Sequence, residues 1–144
     1  MFGAALLTGC NTNNGSGDAE MDRFINDLMS KMSVEDKIGQ LNLHSYAGFR
    51  SAEKVNTDDE NVKQLMAGQM GGMYGISNVN TLRQLQDLAL QTKHGIPLFF
   101  GLDIIHGHET VFPIPLALST SWNMPMLEQV ARTAAVEATA TGIN

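Results

Sequence analysis

Basic charge is scarce in this 144-residue chain: nine Lys and Arg stand against fifteen Asp and Glu, a net charge of −6, and the cations are scattered without a run. That excludes nucleic acid as the main partner, because phosphate recognition needs a basic patch. No apolar run approaches the roughly 20 residues of a membrane-spanning helix. Trp occurs once, and the nine Met read as flexible core filling. Cysteine is down to Cys10, so no internal disulfide can form and the cysteine count does not set the redox compartment. What remains, 43% apolar and 17% charged residues, suffices for one modest core.

The surroundings of Cys10 say more than its number. "FGAALLTGC" is a short apolar run closing on small residues, and the polar, glycine-rich "NTNNGSGDAE" follows. This resembles the end of a bacterial lipoprotein signal with Leu7-Thr8-Gly9-Cys10 as lipobox, although the opening Lys or Arg and the longer apolar stretch of a signal are missing. The alternative is a frayed, mildly apolar N-terminus. On the first reading Cys10 is lipidated and anchors the chain to a membrane, residues 1–20 are a signal remnant and flexible tether, and a folded region occupies residues 21–144.

Periodicity then organises the chain. Phe24, Ile25, Leu28, Met29 and Met32 share a helical face between Asp22 and Met32, and Ser33 with Asp36 forms a capping box opening a second short helix with Val34, Ile38 and Leu41 inward. Residues 44–61 have no clear period and read as a surface loop. A short helix through Val62, Leu65 and Met66 stops at Gly68. "GGMYGI" (71–76) reads as a strand, and Leu82, Leu85, Leu88 and Ala89 mark a helix near 79–93 that Gly95 closes. "IPLFFGL" (96–102) is the next strand. Beyond a polar stretch and the Pro-flanked "IPLALST", a helix capped by Asn123, with Pro125 in its first turn, carries Leu127, Val130, Ala131, Ala134 and Ala138 to Gly142.

Continuously apolar strands alternating with helices indicate an α/β fold with a parallel sheet covered on both faces. A doubly wound sheet and a (β/α)8 barrel both fit. A whole barrel needs about 250 residues and only two strand-helix units are clear, so the chain reads as a piece of a barrel, stopping where another strand is due.

The strand at 96–102 ends in a crowd of polar groups: Asp103, His106, His108 and Glu109. Ligands of parallel α/β folds sit at the carboxyl ends of strands. A carboxylate there can accept two neighbouring sugar hydroxyls, or it can merely cap the following turn. His106 and His108 raise a rival reading, a metal-dependent hydrolase, since residues two apart in an extended segment face the same way. "HETVF" lacks the second His of the helical zinc motif, and no further ligand cluster is visible. Gly107, Pro113 and Pro115 suggest a tightly shaped loop. His44 reads as a polar group in a loop, His94 as a helix C-terminal residue, Trp122 as packing more than as a sugar platform, and Glu137 as a solvated helix residue.

"KMSVEDKIGQLNL", "IPLFFGLDIIHGHETVFPIPLALSTSWN" and "ARTAAVEATATGIN", in this order and at these intervals, resemble the N-terminal portion of glycoside hydrolase family 3, in particular its bacterial periplasmic β-glucosidases. The resemblance covers most of residues 20–144, and Gly101, Asp103, His106 and Gly107 match the G-x-D-x-x-H-G pattern of that family. It implies a partial (β/α)8 TIM-like barrel in an exo-acting, retaining β-glucosidase that takes β-glucosides or short β-gluco-oligosaccharides without a metal or other cofactor. It also implies that Asp103 binds hydroxyls of the terminal sugar, that His106 and Gly107 support it from behind, and that the nucleophile and acid/base lie outside these residues, leaving this chain inactive by itself. No sugar contact is implied for His108 or Glu109. A periplasmic or outer-membrane lipoprotein of a Gram-negative bacterium is the location these readings imply. A lipid-anchored carbohydrate-binding module is the non-enzymatic alternative.

Overall fold

Three short strands, β1 (Leu43–Ser45), β2 (Gly72–Tyr74) and β3 (Phe99–Gly101), lie side by side in the order β1-β2-β3, all parallel. The structure, a computed structural model, describes residues 17–45 and 54–144. Their register stacks Leu43, Gly72 and Phe99 in one row and His44, Met73 and Phe100 in the next. Parallel neighbours require crossovers, and these are helical: α3 (Glu60–Met66) between β1 and β2, α4 (Val79–Leu90) between β2 and β3. The α/β class follows from this alternation, and three parallel strands in sequence order are consistent with part of a (β/α)8 barrel.

Helices cover one face of the sheet. Val62 and Leu65 of α3, and Leu82, Leu85 and Ala89 of α4, pack with Met73 and Phe100 into one buried cluster that also takes in Val55, Met70, Ile76, Leu98, Ala138 and Ile143. The other face differs from the expectation of cover on both sides. Leu43 and Phe99, 55% and 56% exposed, stand open there among the described residues. In a closed barrel that face is filled by side chains of the other strands, so apolar residues on both faces are what the inner and outer surfaces of such a sheet require.

After β3 the chain forms a short helix, α5 (Pro115–Ser119), and a long one, α6 (Met124–Ala140). Pro115 suits the first turn of α5, where a missing N–H leaves no bond unmade. Asn123 caps α6 by accepting the Met126 N–H at 3.2 Å. Beyond α6 the chain returns to the free edge of β3. The Asn144 N–H donates to the Phe100 carbonyl at 3.0 Å, and the Phe100 N–H donates to Asn144 Oδ1 at 2.9 Å. Residue 144 therefore occupies the edge of β3 that no other described strand pairs with.

The chain divides into two compact units, 1–32 and 33–144. Within the first, α1 (Gly17–Lys31) starts inside the stretch read as tether. Asp18 and Glu20 in its first turn favour the positive end of the helix dipole, and Asp27 pairs with Lys31 at 2.6 Å one turn apart. Two more boundaries differ from the sequence reading. Residues 44 and 45 belong to β1 and residues 60 and 61 to α3, while 46–53 lie outside the described residues. A three-residue strand shows no period, and only its pairing with β2 defines it.

α2 (Val34–Gln40) opens on the expected capping box: Ser33 Oγ accepts the Asp36 N–H at 3.1 Å and Asp36 Oδ2 accepts the Ser33 N–H at 3.0 Å. The same Oδ2 also receives Lys93 Nζ and His94 Nε2, each at 2.8 Å. His94 is thus a hydrogen-bond partner from a segment 58 residues away, in addition to its place after α4. Lys93, then His94, then the Ser33 N–H hold the Asp36 carboxyl far below the usual carboxylate range. A carboxyl with a depressed folded pKa contributes stability above its ordinary value of 3.8, and that contribution is lost as pH falls further. Asp36→Asn is therefore expected to lower Tm at pH 7 and to flatten the decline in Tm below about pH 4. Unchanged Tm-against-pH curves in thermal unfolding would contradict this clamp. Lys93 and His94 precede β3, so the clamp sits at the opposite end of the sheet from Asp103.

Candidate functional site

Along the β3 segment, burial alternates well past the strand itself. Leu98 and Phe100 are buried in the helix-covered core, and Leu102 and Ile104 pack against it. Phe99, Asp103 and Ile105 are exposed. Period-two alternation thus carries Asp103 onto the open face of the sheet, beyond the carboxyl end of β3. Among the described residues its carboxylate has no hydrogen-bond or ion-pair partner. The alternative of a turn cap fails on that point, because a capping carboxylate accepts a nearby backbone N–H.

The neighbouring strand end shapes the same rim. The Gly75 N–H donates to the Gly101 carbonyl at 3.0 Å, and a Cβ on Gly101 would stand 3.2 Å from Cδ2 of Tyr74. The bare glycine is what lets that ring lie close.

From His106 to Phe112 the chain makes a closed turn. The Phe112 N–H donates to the His106 carbonyl at 2.7 Å, and Gly107 bridges Val111 in antiparallel fashion. Gly107 has φ +104°, and a side chain there would overlap the Thr110 carbonyl, so glycine is required on both grounds. The turn removes the extended segment on which the two-histidine metal reading depended. His106 is exposed, whereas His108 is 9% exposed and its Nε2 lies 2.8 Å from Thr141 Oγ1 at the end of α6. No group of three or more metal-ligating side chains exists among the described residues.

Glu137 departs furthest from its sequence reading. Its Oε2 accepts the N–H groups of Glu109 at 3.0 Å and Thr110 at 2.8 Å, and its Oε1 accepts the Thr110 hydroxyl at 2.6 Å. The Thr110 hydroxyl first, then the Thr110 and Glu109 amides and the charge of His108, hold this carboxyl below its ordinary value. No local signal could have identified it, since its partners lie 27 and 28 residues away. His44 stands in β1, its Nδ1 3.5 Å from Asn61 Oδ1. Trp122, at a φ of +50° in the turn between α5 and α6, is 90% exposed and not packed. Cys10 lies outside the described residues.

Residues 33–144 match the family model of the glycosyl hydrolase family 3 N-terminal domain. The periplasmic beta-glucosidase of Salmonella typhimurium is 39% identical over 124 residues, which cover 85% of this chain and 15% of that protein. The lysosomal beta glucosidase of Dictyostelium discoideum is 26% identical over 85% of this chain and 18% of its own length. Among solved structures, the beta-glucosidase of Listeria innocua, seen in complex with glucose and, as a mutant, with laminaribiose, superposes with a TM-score of 0.70 at 32% identity, over 85% of this chain and 18% of that one. The chain thus spans less than a fifth of the length of these relatives.

Proposed function

The chain belongs to glycosyl hydrolase family 3, and from that membership we propose that residues 33–144 supply part of the sugar-binding wall of a β-glucosidase. One observation carries the reading: Asp103 is exposed and unpartnered among the described residues, on the open face at the carboxyl end of a parallel strand. A free carboxylate in that position suits two adjacent hydroxyls of a terminal glucose, which it would bind through charge-assisted hydrogen bonds. The glucose and laminaribiose complexes of the Listeria relative support a β-glucoside as ligand. The name of the Salmonella relative extends the proposal to a periplasmic location.

In this reading the enzyme removes glucose from the non-reducing end with retention of configuration. Retention needs two carboxyl groups about 5–5.5 Å apart, one as nucleophile and one as acid/base. Asp103 is neither. It binds and orients the sugar, while both reacting carboxyls come from polypeptide beyond these 144 residues, and His106 and Gly107 shape the rim behind it.

The test uses the 144-residue chain. Titration with glucose or cellobiose, followed by amide chemical shifts, is expected to move residues 101–107 and leave the β1 amides in place. An aryl β-glucoside incubated with the same chain is expected to stay intact. Turnover by this chain that Asp103→Ala abolishes would refute the division of labour, and a titration without shifts at 101–107 would refute the binding wall.

A further inference from the structure

The end of α6 makes a set of contacts that sugar binding by Asp103 does not require. Three donors from the tip of the 106–112 turn converge on Glu137: the Glu109 and Thr110 N–H groups on Oε2 at 3.0 and 2.8 Å, and the Thr110 hydroxyl on Oε1 at 2.6 Å. One turn further along, the Thr141 hydroxyl lies 2.8 Å from both the Ala138 carbonyl, to which it donates, and His108 Nε2. Glu137 in the last turns of α6 and Thr141 at its C-terminal cap therefore fasten the turn, which is also closed on itself by the His106–Phe112 bond. On its near side the turn follows Ile104, which packs on the core, and Asp103 stands directly before that anchor.

We infer that Glu137 is the positioning residue of this rim: its carboxylate holds the 106–112 turn in one conformation and so keeps Asp103 and His106 preordered for sugar. The inference rests on the reading of Asp103 as a sugar-binding group. Two consecutive N–H groups aimed at one oxygen need a strong acceptor, which a carboxylate is. Fixing the turn before the ligand arrives removes an ordering penalty that binding would otherwise carry. Glutamine can reproduce the arrangement more weakly, with its carbonyl towards the two N–H groups and its amide towards the Thr110 hydroxyl. Alanine cannot.

Hydrogen exchange and glucose titration on the same chain test this together, with the Met73 and Phe100 amides of the sheet as internal reference. Glu137→Ala is expected to speed exchange at Glu109 and Thr110 about tenfold or more with the sheet amides unchanged, and to weaken glucose binding about tenfold. Glu137→Gln should stay within about threefold of the original chain on both measures. Asp103→Ala should weaken glucose binding and leave exchange at the turn alone. Unchanged exchange in Glu137→Ala, equal acceleration in turn and sheet, or accelerated exchange with full glucose affinity would each overturn the inference. Glucose binding indifferent to Asp103→Ala would instead sink the sugar reading, and the positioning role with it. Should Glu137→Ala not fold, Thr110→Val removes only the Oε1 contact and is expected to speed exchange at the turn about threefold; no acceleration there would count against the clamp.

Discussion

Replacing Asp103 with alanine in a turning-over enzyme that contains this chain is expected to lower kcat/KM for aryl β-glucosides by about 10³-fold, or about 4 kcal/mol of transition-state binding. The figure follows from the chemistry of the position. A carboxylate that accepts two hydroxyls makes two charge-assisted bonds of about 1.5–3 kcal/mol each. Contacts to sugar hydroxyls strengthen as the ring approaches the oxocarbenium-like transition state, so kcat should fall along with the affinity. Asp103→Asn keeps one accepting oxygen and should lie between. In the 144-residue chain alone the side chain is exposed, and solvent competition reduces the expected loss of glucose affinity to about tenfold. Steady-state kinetics decide the matter: an alanine variant with unaltered kcat/KM would remove Asp103 from the sugar site.

The second large effect concerns the fold. Gly71→Ala is expected to destabilise the 33–144 unit by about 3 kcal/mol, seen as a fall in Tm of roughly 10 °C or more in thermal unfolding. A methyl group at Gly71 would overlap the carbonyl of Gln40 and stand 2.9 Å from its Cα. The opposing surface is equally bare, since a Cβ on the buried Gly39 would stand 2.9 Å from the Cα of Gln69 and overlap the Gly68 carbonyl. The end of α2 and the turn into β2 thus meet backbone to backbone, with no flexible side chain able to yield. A Tm within about 2 °C of the original for both Gly71→Ala and Gly39→Ala would mean that this contact does not form.

How much of this was legible from sequence depends on how far apart the partners are. The partners of the Ser33–Asp36 capping box are three positions apart and could be read directly, as could the Asn123 cap and the buried stripe of α4. β2 and β3 were visible because continuous apolar runs between turn residues are a local pattern. β1 was not, because His44 and Ser45 become strand only through their pairing with Met73 and Tyr74. His94 and Glu137 read as unremarkable helix-end and helix residues for the same reason: their partners, Asp36 and Thr110, are 58 and 27 residues away. The paired-histidine reading assumed an extended backbone, and the positive φ of Gly107 removed it.

Local pattern alone was enough to establish alternating helices and strands, the helix caps, the acidic charge balance and a polar cluster at the end of an apolar strand, because each depends on residues within a few positions of one another. Tertiary packing decided which face of the sheet is open, that Asp103 stands on it unpartnered among the described residues, and that Glu137 and Thr141 fasten the turn beside it. Those outcomes depend on which distant groups come within hydrogen-bonding or van der Waals reach, and contact at such range is settled only when the chain has closed on itself.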